Sequence, residues 1–597
     1  MPPVKRLLIL DFLKGLAMIA VVFYHFGAWV PFGYLGVDVF FVISGYLLVK
    51  GLYKSFEENT FNYPSFILKK LVLLWPLILI VSALALALGY FVMLPYDYKT
   101  LAESAAASSF FTDNVFQMIN TGNYWDLLNL YKPLMHMWYI DILMHAYIVL
   151  PLIYLLFVRL FKETKRGLIA AGTLMTLISI VLFLLPIPQK WKFYYLPFRI
   201  FELSSGGLVA LRTKEMERKK ALPAMALSLI VIFLMIFSRT RIISSDFMLI
   251  TVVAATSLFI FTGSNLRIQN KILNVFGNFF AETGKRSYSI YIWHQLVIAF
   301  LFYSVFPNQN IFSFSVFLTI TVFISEISHR LIKPNLDKFV YKATAIKHCF
   351  VISNLVLATI ICATGSLIYM HFGVVRNVPE LDITKDNVKR TMHKEYTDRV
   401  KQMKIGFGDS TKKHVLVFGN SFGRDWTNIL LEYDKKGRLE ISYLVNSEEN
   451  VTKYAALIKE ADIVFYSEGP NYNGIPDYIE EAVAKEKLYI VGNKNFGESN
   501  GIIYAKRYTK DYFKQKVRMP EGLMEQNERE SKKYGKHYIN LMSAVSDEGG
   551  MVRVFTEENK FISTDCRHLT KAGAQYFAKI LDIESVIFPN FQSESND

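Results

Sequence analysis

The feature that most constrains the fold is a series of apolar windows that runs from the N-terminus to about residue 371. Each window approaches the length, about 17–25 residues, that an α-helix needs to cross the hydrocarbon core of a bilayer. They predict about eleven membrane-spanning helices, near residues 7–30, 34–52, 71–95, 139–158, 167–186, 194–211, 221–238, 245–263, 287–306, 311–332 and 349–371. The chain is therefore expected to begin with a polytopic α-helical membrane domain.

The composition agrees with a lipid bilayer as partner. Hydrophobic residues make up 52% of the 597 residues, and the formal net charge is +15. The Lys and Arg residues cluster in short loops between apolar windows, and no nucleic-acid-binding motif accompanies them, so we expect no nucleic acid. The three cysteines, Cys349, Cys362 and Cys566, have neither a disulfide pattern nor metal-ligand spacing, so no metal site is predicted.

The basic loops also predict the orientation of the chain. They lie near residues 5–6, 50–70, 159–166, 212–220, 267–286 and 333–347, and all fall on one side of the predicted helices. Taking that side as cytoplasmic places the N-terminus in the cytoplasm. An odd number of spans then places everything after residue 372 outside. We expect a multi-pass protein of the cell membrane with an extracytoplasmic C-terminal domain.

The hydrophobic pattern divides the chain into four parts. Residues 1–348 are predicted to form a membrane domain of about ten helices, 349–371 an additional helix, and 372–411 a polar linker with a short helix near 385–403. From residue 412 to 597, apolar runs of strand length alternate with helical segments. Strands separated by helices predict an α/β domain with a parallel sheet.

Ionisable residues inside the membrane windows require a reason, because each costs at least ~2.5–3.5 kcal/mol near the bilayer centre. Lys14 and His25 lie about three turns apart on one helix face. A polar track that contains histidines favours proton or acyl transfer, whereas pairing between helices explains any single residue. The windows contain Asp11, Lys14, His25, Asp38, Asp141, His145, Arg199, Glu202, His294 and Glu326.

Several of these residues lie in motifs that resemble the membrane acyltransferase family called acyltransferase three. The motifs, in the family's order, are Asp11-Phe-Leu-Lys14 with Tyr24-His25, Gly36-Val-Asp38 with Ser44-Gly45-Tyr46, Pro133-Leu-Met-His136-Met-Trp138-Tyr139, Pro197-Phe-Arg199-Ile-Phe-Glu202, and Ser287-Tyr-Ser-Ile-Tyr-Ile-Trp-His294. The resemblance covers residues 5 to about 334. It implies transfer of an acyl group, usually acetyl from a cytoplasmic thioester, to a sugar across the membrane.

The same resemblance implies roles for individual residues. His25 is the implied general base or relay, and acetyl-CoA or another acyl-CoA is the implied donor substrate, with no bound cofactor. The further candidates for the donor or membrane site are Lys14, Asp38, Lys70, His136, Arg199, Glu202 and His294.

The sequence departs from the family's pattern at several positions. Lys14 replaces an arginine, which keeps the charge but loses the planar guanidinium fork. Lys70 and Leu73 stand where the family has paired arginines, and Ile332 stands where it has a glutamate. These departures leave three readings open: altered donor binding, a diverged subtype, or an inactive membrane domain.

A second set of candidate residues lies in the C-terminal domain. An apolar run ends in Gly419-Asn-Ser421 at a predicted strand-to-helix turn, and Asp565-Cys-Arg-His568 precedes the last helix. Such a turn exposes the serine hydroxyl; His568 can take its proton, and Asp565 can orient the imidazole. Either motif alone is explained by helix capping. Together, at opposite ends of one α/β pattern, they favour a catalytic serine.

These two motifs resemble the first and last blocks of the SGNH serine esterases and transferases, with Gly-Asn-Ser here for the usual Gly-Asp-Ser. The resemblance implies Gly469 and Asn471 as oxyanion-hole residues. An ordinary Asn/Gly turn remains the alternative there, because Tyr472 replaces the usual aspartate. A second oxyanion donor is not identified.

Together the two resemblances predict an O-acyltransferase, most simply an O-acetyltransferase, that acts on a cell-envelope glycan through a serine acyl-enzyme. The alternative is a membrane-anchored SGNH esterase with a diverged or transporter-like membrane domain. The sequence identifies neither the glycan, the acyl group, nor the oligomeric state.

Overall fold

The computed structural model describes residues 8–27, 30–120, 130–212, 216–238, 240, 243–263, 271–306, 309–340, 342, 344–384, 392–469, 474–497, 500–520 and 522–589. The chain divides into two compact units. We call Met1–Val92 with Tyr98–Tyr369 the membrane unit, and Met93–Asp97 with Met370–Asp597 the α/β unit.

Helices dominate the chain up to residue 370. They are α1 (Leu8–His25), α2 (Gly36–Glu57), α3 (Tyr63–Val92), α4 (Pro95–Ser109), α5 (Asp113–Asn120), α6 (Trp138–Phe161), α7 (Thr164–Leu184), α8 (Gln189–Tyr194), α9 (Ile200–Ala210), α10 (Arg218–Phe237), α11 (Ser245–Gly263), α12 (Lys271–Ser304), α13 (Ile311–Ile327), α14 (Lys333–Val340) and α15 (Thr344–Met370).

Within the described residues, nine helices are long and apolar enough to cross a membrane. The polytopic helical class is therefore confirmed, but the predicted count of eleven is not. The two further predicted spans, 194–211 and 287–306, correspond to the 11-residue helix α9 and to part of the 34-residue helix α12. The helix α9 is apolar but, at 11 residues, too short to cross a membrane, whereas α12 carries buried polar groups in the predicted span, among them His294 and Gln295.

Two helix pairs of the membrane unit approach each other through glycines. A Cβ added at Gly15 of α1 or at Gly284 of α12 would lie 1.8 Å from a backbone oxygen of the opposite helix. Gly45 of α2 and Gly206 of α9 would clash in the same way, at 1.8 and 1.9 Å. Small residues at helix contacts are typical of membrane proteins, since they let the backbones approach closely. The close packing brings α1 against α12 and α2 against α9.

Strands and helices alternate in the α/β unit. The strands are β1 (Lys413–Gly419), β2 (Leu439–Val445), β3 (Ile463–Ser467), β4 (Leu488–Val491), β5 (Lys516–Arg518), β6 (Tyr538–Ile539) and β7 (Met551–Arg553). The helices are α16 (Met392–Lys401), α17 (Ser421–Tyr433), α18 (Glu448–Lys453), α19 (Ala455–Glu460), α20 (Asp477–Ala482), α21 (Asn500–Ala505), α22 (Leu523–Tyr534), α23 (Lys571–Ile580) and α24 (Ile583–Ile587).

The main sheet has the order β2-β1-β3-β4-β6, and every neighbouring pair is parallel. The predicted parallel sheet is therefore confirmed, and the short strand β6 is an addition to it. Alternate residues of β1 face opposite cores: Val417 packs with Trp426 of α17, while Leu416 packs with the side of α18 to α20. A parallel sheet covered by helices on both faces is the usual arrangement.

The strand order determines where a site can form. The chain moves from β1 to β2 on one side and then crosses to β3 on the other, so β1 lies where the winding reverses. In open α/β sheets, ligands bind at this point, beyond the carboxyl ends of the strands. Gly419 ends β1 here, in register with Val445 of β2 and Ser467 of β3.

Part of the region predicted as a linker packs on the α/β unit. Tyr396 of α16 is buried and donates a hydrogen bond from its hydroxyl to Glu432 of α17 at 2.6 Å, and Arg399 forms an ion pair with the same carboxylate at 3.0 Å. The predicted domain boundaries remain predictions.

Candidate active site

The turn between β1 and α17 presents Ser421. Asn420 caps α17, and its side-chain oxygen accepts a hydrogen bond from the backbone N–H of Phe422 at 2.9 Å. Gly419 is required for close packing, because a Cβ there would lie 1.9 Å from the carbonyl oxygen of Ser467. Ser421 thus opens a helix, where backbone N–H groups have no intrahelical partner and negative charge is stabilised.

The structure brings together the three predicted residues Ser421, Asp565 and His568. The Nε2 atom of His568 lies 2.8 Å from the Ser421 hydroxyl, and its Nδ1 atom lies 2.7 Å from the Asp565 carboxylate. An ionised carboxylate can only accept, so Nδ1 carries the proton and Nε2 accepts from the serine. This is the geometry of a nucleophile, a base and a group that orients the base. The catalytic roles remain predictions.

The surroundings keep Asp565 ionised. Burial acts to raise the pKa of its carboxyl, but hydrogen bonds from the His568 ring and from the backbone N–H groups of His568 and Arg567 outweigh burial. The pKa of Asp565 therefore lies well below its ordinary value. A carboxylate held in this state stabilises a positive charge on the His568 ring.

The structure describes one of the two oxyanion-hole candidates. Gly469 is buried just beyond β3, whereas Asn471 lies outside the described residues. The carbonyl oxygen of Gly469 accepts a hydrogen bond from the Asn420 amide at 2.5 Å. Since that amide also accepts from Phe422, the asparagine joins two segments in a way that an ionised aspartate cannot. The asparagine that stands here for the aspartate of Gly-Asp-Ser therefore adds a hydrogen bond to the Gly469 carbonyl.

Three of the predicted membrane residues form one group. The Nδ1 atom of His25 lies 2.7 Å from Nε2 of His294, and the rings of His136 and His294 lie 5.2 Å apart. All three side chains are buried. We call His25, His136 and His294 the histidine group.

Hydrogen bonds assign the tautomers of the two bonded rings. Nδ1 of His294 lies 2.7 Å from the carbonyl oxygen of Tyr291, so Nδ1 carries the proton and Nε2 accepts. His25 must then donate from Nδ1 to His294, and its lone pair is on Nε2. The arrangement suits His25 for accepting a proton.

A second group of predicted residues surrounds Arg199. Its Nη1 atom donates to Asp38 at 2.7 Å and to Glu202 at 2.9 Å, and all three side chains are buried. A cavity of about 20 Å³ adjoins Asp38 and Arg199, with Trp138 and Lys192 also in its wall. A space of this size holds about one water molecule.

Comparison with known proteins identifies the family of the segment that contains these two groups. Residues 7–329, more than half of the chain, match the family described as acyltransferase domain (acyltransferase 3). The chain belongs to this family. The histidine group and the Arg199 group both lie inside the matched acyltransferase domain, and the Ser421 site lies beyond its end.

Curated relatives are similar over part of their length. A Staphylococcus aureus (strain COL) protein, whose name assigns it provisionally as an O-acetyltransferase, is 27% identical over 354 residues, which are 56% of this chain and 58% of the relative. The peptidoglycan O-acetyltransferase OatA of Listeria monocytogenes is 26% identical over 55% of each chain. The O-acetyltransferase OatA of S. aureus (strain NCTC 8325) is 26% identical over 56% of this chain and 58% of its own length. The match thus spans somewhat more than half of each relative.

Two further candidates of the acyltransferase domain, Lys14 and Lys70, make contacts with other residues. Lys14 forms an ion pair with Asp11 at 3.8 Å, about three helical turns from His25. The Lys70 ammonium lies 3.8 Å from the centre of the Tyr147 ring. The predicted polar track that contains histidines remains a prediction.

Sequence analysis missed two residues beside the serine site. Asp425 and Lys494 form a buried ion pair at 3.0 Å, and Asp425 also accepts from the backbone N–H of Leu569 at 3.0 Å. One signal was present: Asp425 follows Ser421 by about one helical turn, so the two side chains share a helix face.

Proposed function

We propose that the chain is a cell-envelope O-acetyltransferase that moves acetyl from a cytoplasmic thioester, acetyl-CoA, to a hydroxyl of an extracytoplasmic glycan. The observation that carries the proposal is the Ser421–His568–Asp565 geometry on the same chain as an acyltransferase domain with a buried histidine group. The name of the Listeria relative supports peptidoglycan as the acceptor.

In the membrane, His25 acts as general base or relay for the acetyl group. Its lone pair is on Nε2 because Nδ1 donates to His294, which in turn donates to the backbone at Tyr291. His294 thereby fixes the orientation and tautomer of the base. Such fixed imidazoles are suited to proton transfer.

In the α/β unit, which we assign to the SGNH class, the Ser421 oxygen attacks the acetyl carbonyl while Nε2 of His568 takes the hydroxyl proton. The negative oxygen of the tetrahedral intermediate is stabilised at the start of α17, with Gly469 and Asn471 as the neighbouring candidates. When the intermediate collapses, the bond between the acetyl carbon and the carrier that delivered the acetyl group breaks. The protonated His568 gives its proton to that carrier, and Ser421 remains as an acetyl-serine. A glycan hydroxyl, deprotonated by His568, attacks this ester and regenerates Ser421.

The proposal includes the topology and the domain limits. The N-terminus is cytoplasmic, and the unit that follows residue 372 is outside, since the basic loops fall on one side of the eleven spans predicted from the sequence. Acetyl must then cross from the membrane domain of residues 1–348 to the serine domain of residues 412–597.

A membrane-anchored esterase is the second candidate. It is favoured by the same serine geometry, because water can replace the glycan hydroxyl in the last step. It does not require the buried histidine group, which is why we rank it second.

Mass spectrometry of purified envelope glycans separates the two functions. Cells would express wild type, His25→Ala or Ser421→Ala, with His145→Ala as a control histidine outside the histidine group and Ser447→Ala as a control serine at another helix N-cap. We expect one O-acetyl mark to disappear in both test variants and to persist in both controls. A rise in acetylation in Ser421→Ala alone would identify an esterase and overturn the proposal.

A further inference from the structure

A fully buried ion pair lies directly beneath the serine site. The Lys494 ammonium is 3.0 Å from Asp425, and the two side chains are 1% and 5% exposed. Removing two charges from water is unfavourable unless the geometry is good and further hydrogen bonds complete the site. A pair buried this deeply therefore requires an explanation beyond stability.

The ion pair touches both halves of the serine site. Asp425 lies on α17, the helix that Ser421 opens, and its Oδ2 atom also accepts the backbone N–H of Leu569, the residue after His568, at 3.0 Å. Thus one carboxylate oxygen links the nucleophile's helix to the segment that carries the base. Lys494 supplies the opposite charge for that oxygen.

Lys494 also supports the residue next to the nucleophile. Its ammonium lies 3.6 Å from the centre of the Phe422 ring, and the Phe422 ring lies 6.0 Å from the ring of His568. A cation against an aromatic face is attracted by the ring's negative face. The side chain of Phe422 is therefore held between Lys494 and the catalytic base.

The loop that carries Lys494 holds the base segment at a second point. The backbone N–H of Phe496 donates to the carbonyl oxygen of Cys566 at 2.7 Å. Cys566 has φ of +70°, a left-handed conformation that is unfavourable for a residue with a side chain. The hydrogen bond from Phe496 therefore helps to hold a strained turn between Asp565 and His568.

We infer that Asp425 and Lys494 are positioning residues of the serine site, which hold Ser421 and His568 at reacting distance and balance the charge beneath them. The inference rests on the proposed function, since it assigns a role within that reaction. Three charged side chains interact electrostatically with the Lys494 ammonium: Asp425 and Asp565 attract it, and Arg424 repels it.

Changing the two charges separately distinguishes this role from simple structural support. Lys494→Met leaves the negative charge of Asp425 unbalanced, which favours protonated His568, so the acid limb of the pH–rate profile moves to higher pH. Asp425→Asn leaves the positive charge of Lys494 unbalanced and moves the limb to lower pH. The double variant restores neutrality and returns the limb to its wild-type position. Structural support alone gives no such opposed shifts.

The test uses the full chain in lipid nanodiscs and measures 4-nitrophenyl acetate hydrolysis between about pH 5 and 9. We expect Lys494→Met to lower kcat by about 10–100-fold with little change in KM, as small misplacements of reacting groups do. The control Lys579→Met removes an exposed ion pair with Glu557 in the same unit, and it leaves kcat and the profile unchanged.

Each outcome decides one question. The inference is overturned if kcat is unchanged in Lys494→Met, or if the acid limb of the pH–rate profile lies at the same pH in the two single variants. The proposed function stands in either case. Full hydrolysis in Ser421→Ala instead overturns the proposed function. If Lys494→Met does not fold, the double variant Asp425→Asn/Lys494→Met is measured instead, because it leaves no unpaired buried charge. We expect a reduced kcat and an acid limb at the wild-type pH. A wild-type kcat in this variant overturns the inference.

Discussion

At the scale of single residues, the α/β site depends on side chains that act in two directions at once. His568 accepts from Ser421 and donates to Asp565, which fixes its tautomer. Asn420 accepts from Phe422 and donates to Gly469, which connects the turn at Ser421 to the neighbouring loop. An amide is the group that can do both, so the asparagine here is a structural requirement of this particular site.

We predict that Asn420→Asp lowers kcat for 4-nitrophenyl acetate hydrolysis by about tenfold near neutral pH. The carboxylate keeps the contact to Phe422 but repels the Gly469 carbonyl, at a cost of about 1–3 kcal/mol for the lost donor. Protonation at low pH restores a donor, so the ratio of variant to wild-type rate should rise as the pH falls.

The matched control is Asn450→Asp, which alters an exposed amide that donates to Val445 at 2.8 Å. Equal rate losses in the two variants, or a rate ratio for Asn420→Asp that does not depend on pH, would contradict the explanation.

At the scale of secondary-structure elements, glycines decide how closely the membrane helices approach. The α1–α12 contact leaves no space for a side chain at Gly15 or Gly284, and the α2–α9 contact leaves none at Gly45 or Gly206. The first contact supports the hydrogen bond between His25 and His294. The second supports the ion pair of Asp38 with Arg199. The buried polar groups thus depend on helix spacing.

We predict that Gly45→Ala destabilises the detergent-solubilised protein by about 1–3 kcal/mol, as overpacking does. Its Cβ would lie 1.8 Å from the carbonyl oxygen of Leu203, so α2 and α9 must separate. Thermal unfolding measures the effect. Gly51→Ala on the same helix is the control, because a Cβ there meets nothing within 4 Å. A similar unfolding midpoint for both variants would refute the close-contact argument.

At the scale of the whole molecule, the proposed function requires two chemical sites on one chain. The acyltransferase domain contains the histidine group, and the α/β unit contains Ser421, His568 and Asp565. The proposal assigns the donor to the cytoplasm and the acceptor glycan to the outside. This arrangement depends on the topology predicted from the basic loops.

We predict that a membrane-impermeant maleimide labels Tyr508→Cys but not Lys162→Cys in intact cells, in a background without the native cysteines. Tyr508 is 86% exposed in the α/β unit, and Lys162 lies in a basic loop predicted to be cytoplasmic. Both sites should react after the membrane is permeabilised. Labelling of Lys162→Cys alone in intact cells would invert the topology and remove the basis for an extracytoplasmic acceptor.

The sequence by itself determined the features that follow from local pattern. Apolar windows located the membrane helices because length and hydropathy are properties of one segment. Alternating strands and helices predicted the parallel sheet, and two short motifs identified Ser421, Asp565 and His568 as candidates. Of the two predicted spans that are not among the nine, α9 is an apolar helix of only 11 residues, and α12 carries buried polar residues in an otherwise apolar segment.

Only the tertiary structure decided which distant residues meet. His25 and His294 are 269 positions apart, and Asp38 and Arg199 are 161 apart, yet each pair shares a hydrogen bond at 2.7 Å. Asp425 and Lys494 pair in the same way beneath the serine. No local periodicity encodes these contacts, because they depend on which helices and loops become neighbours when the whole chain packs.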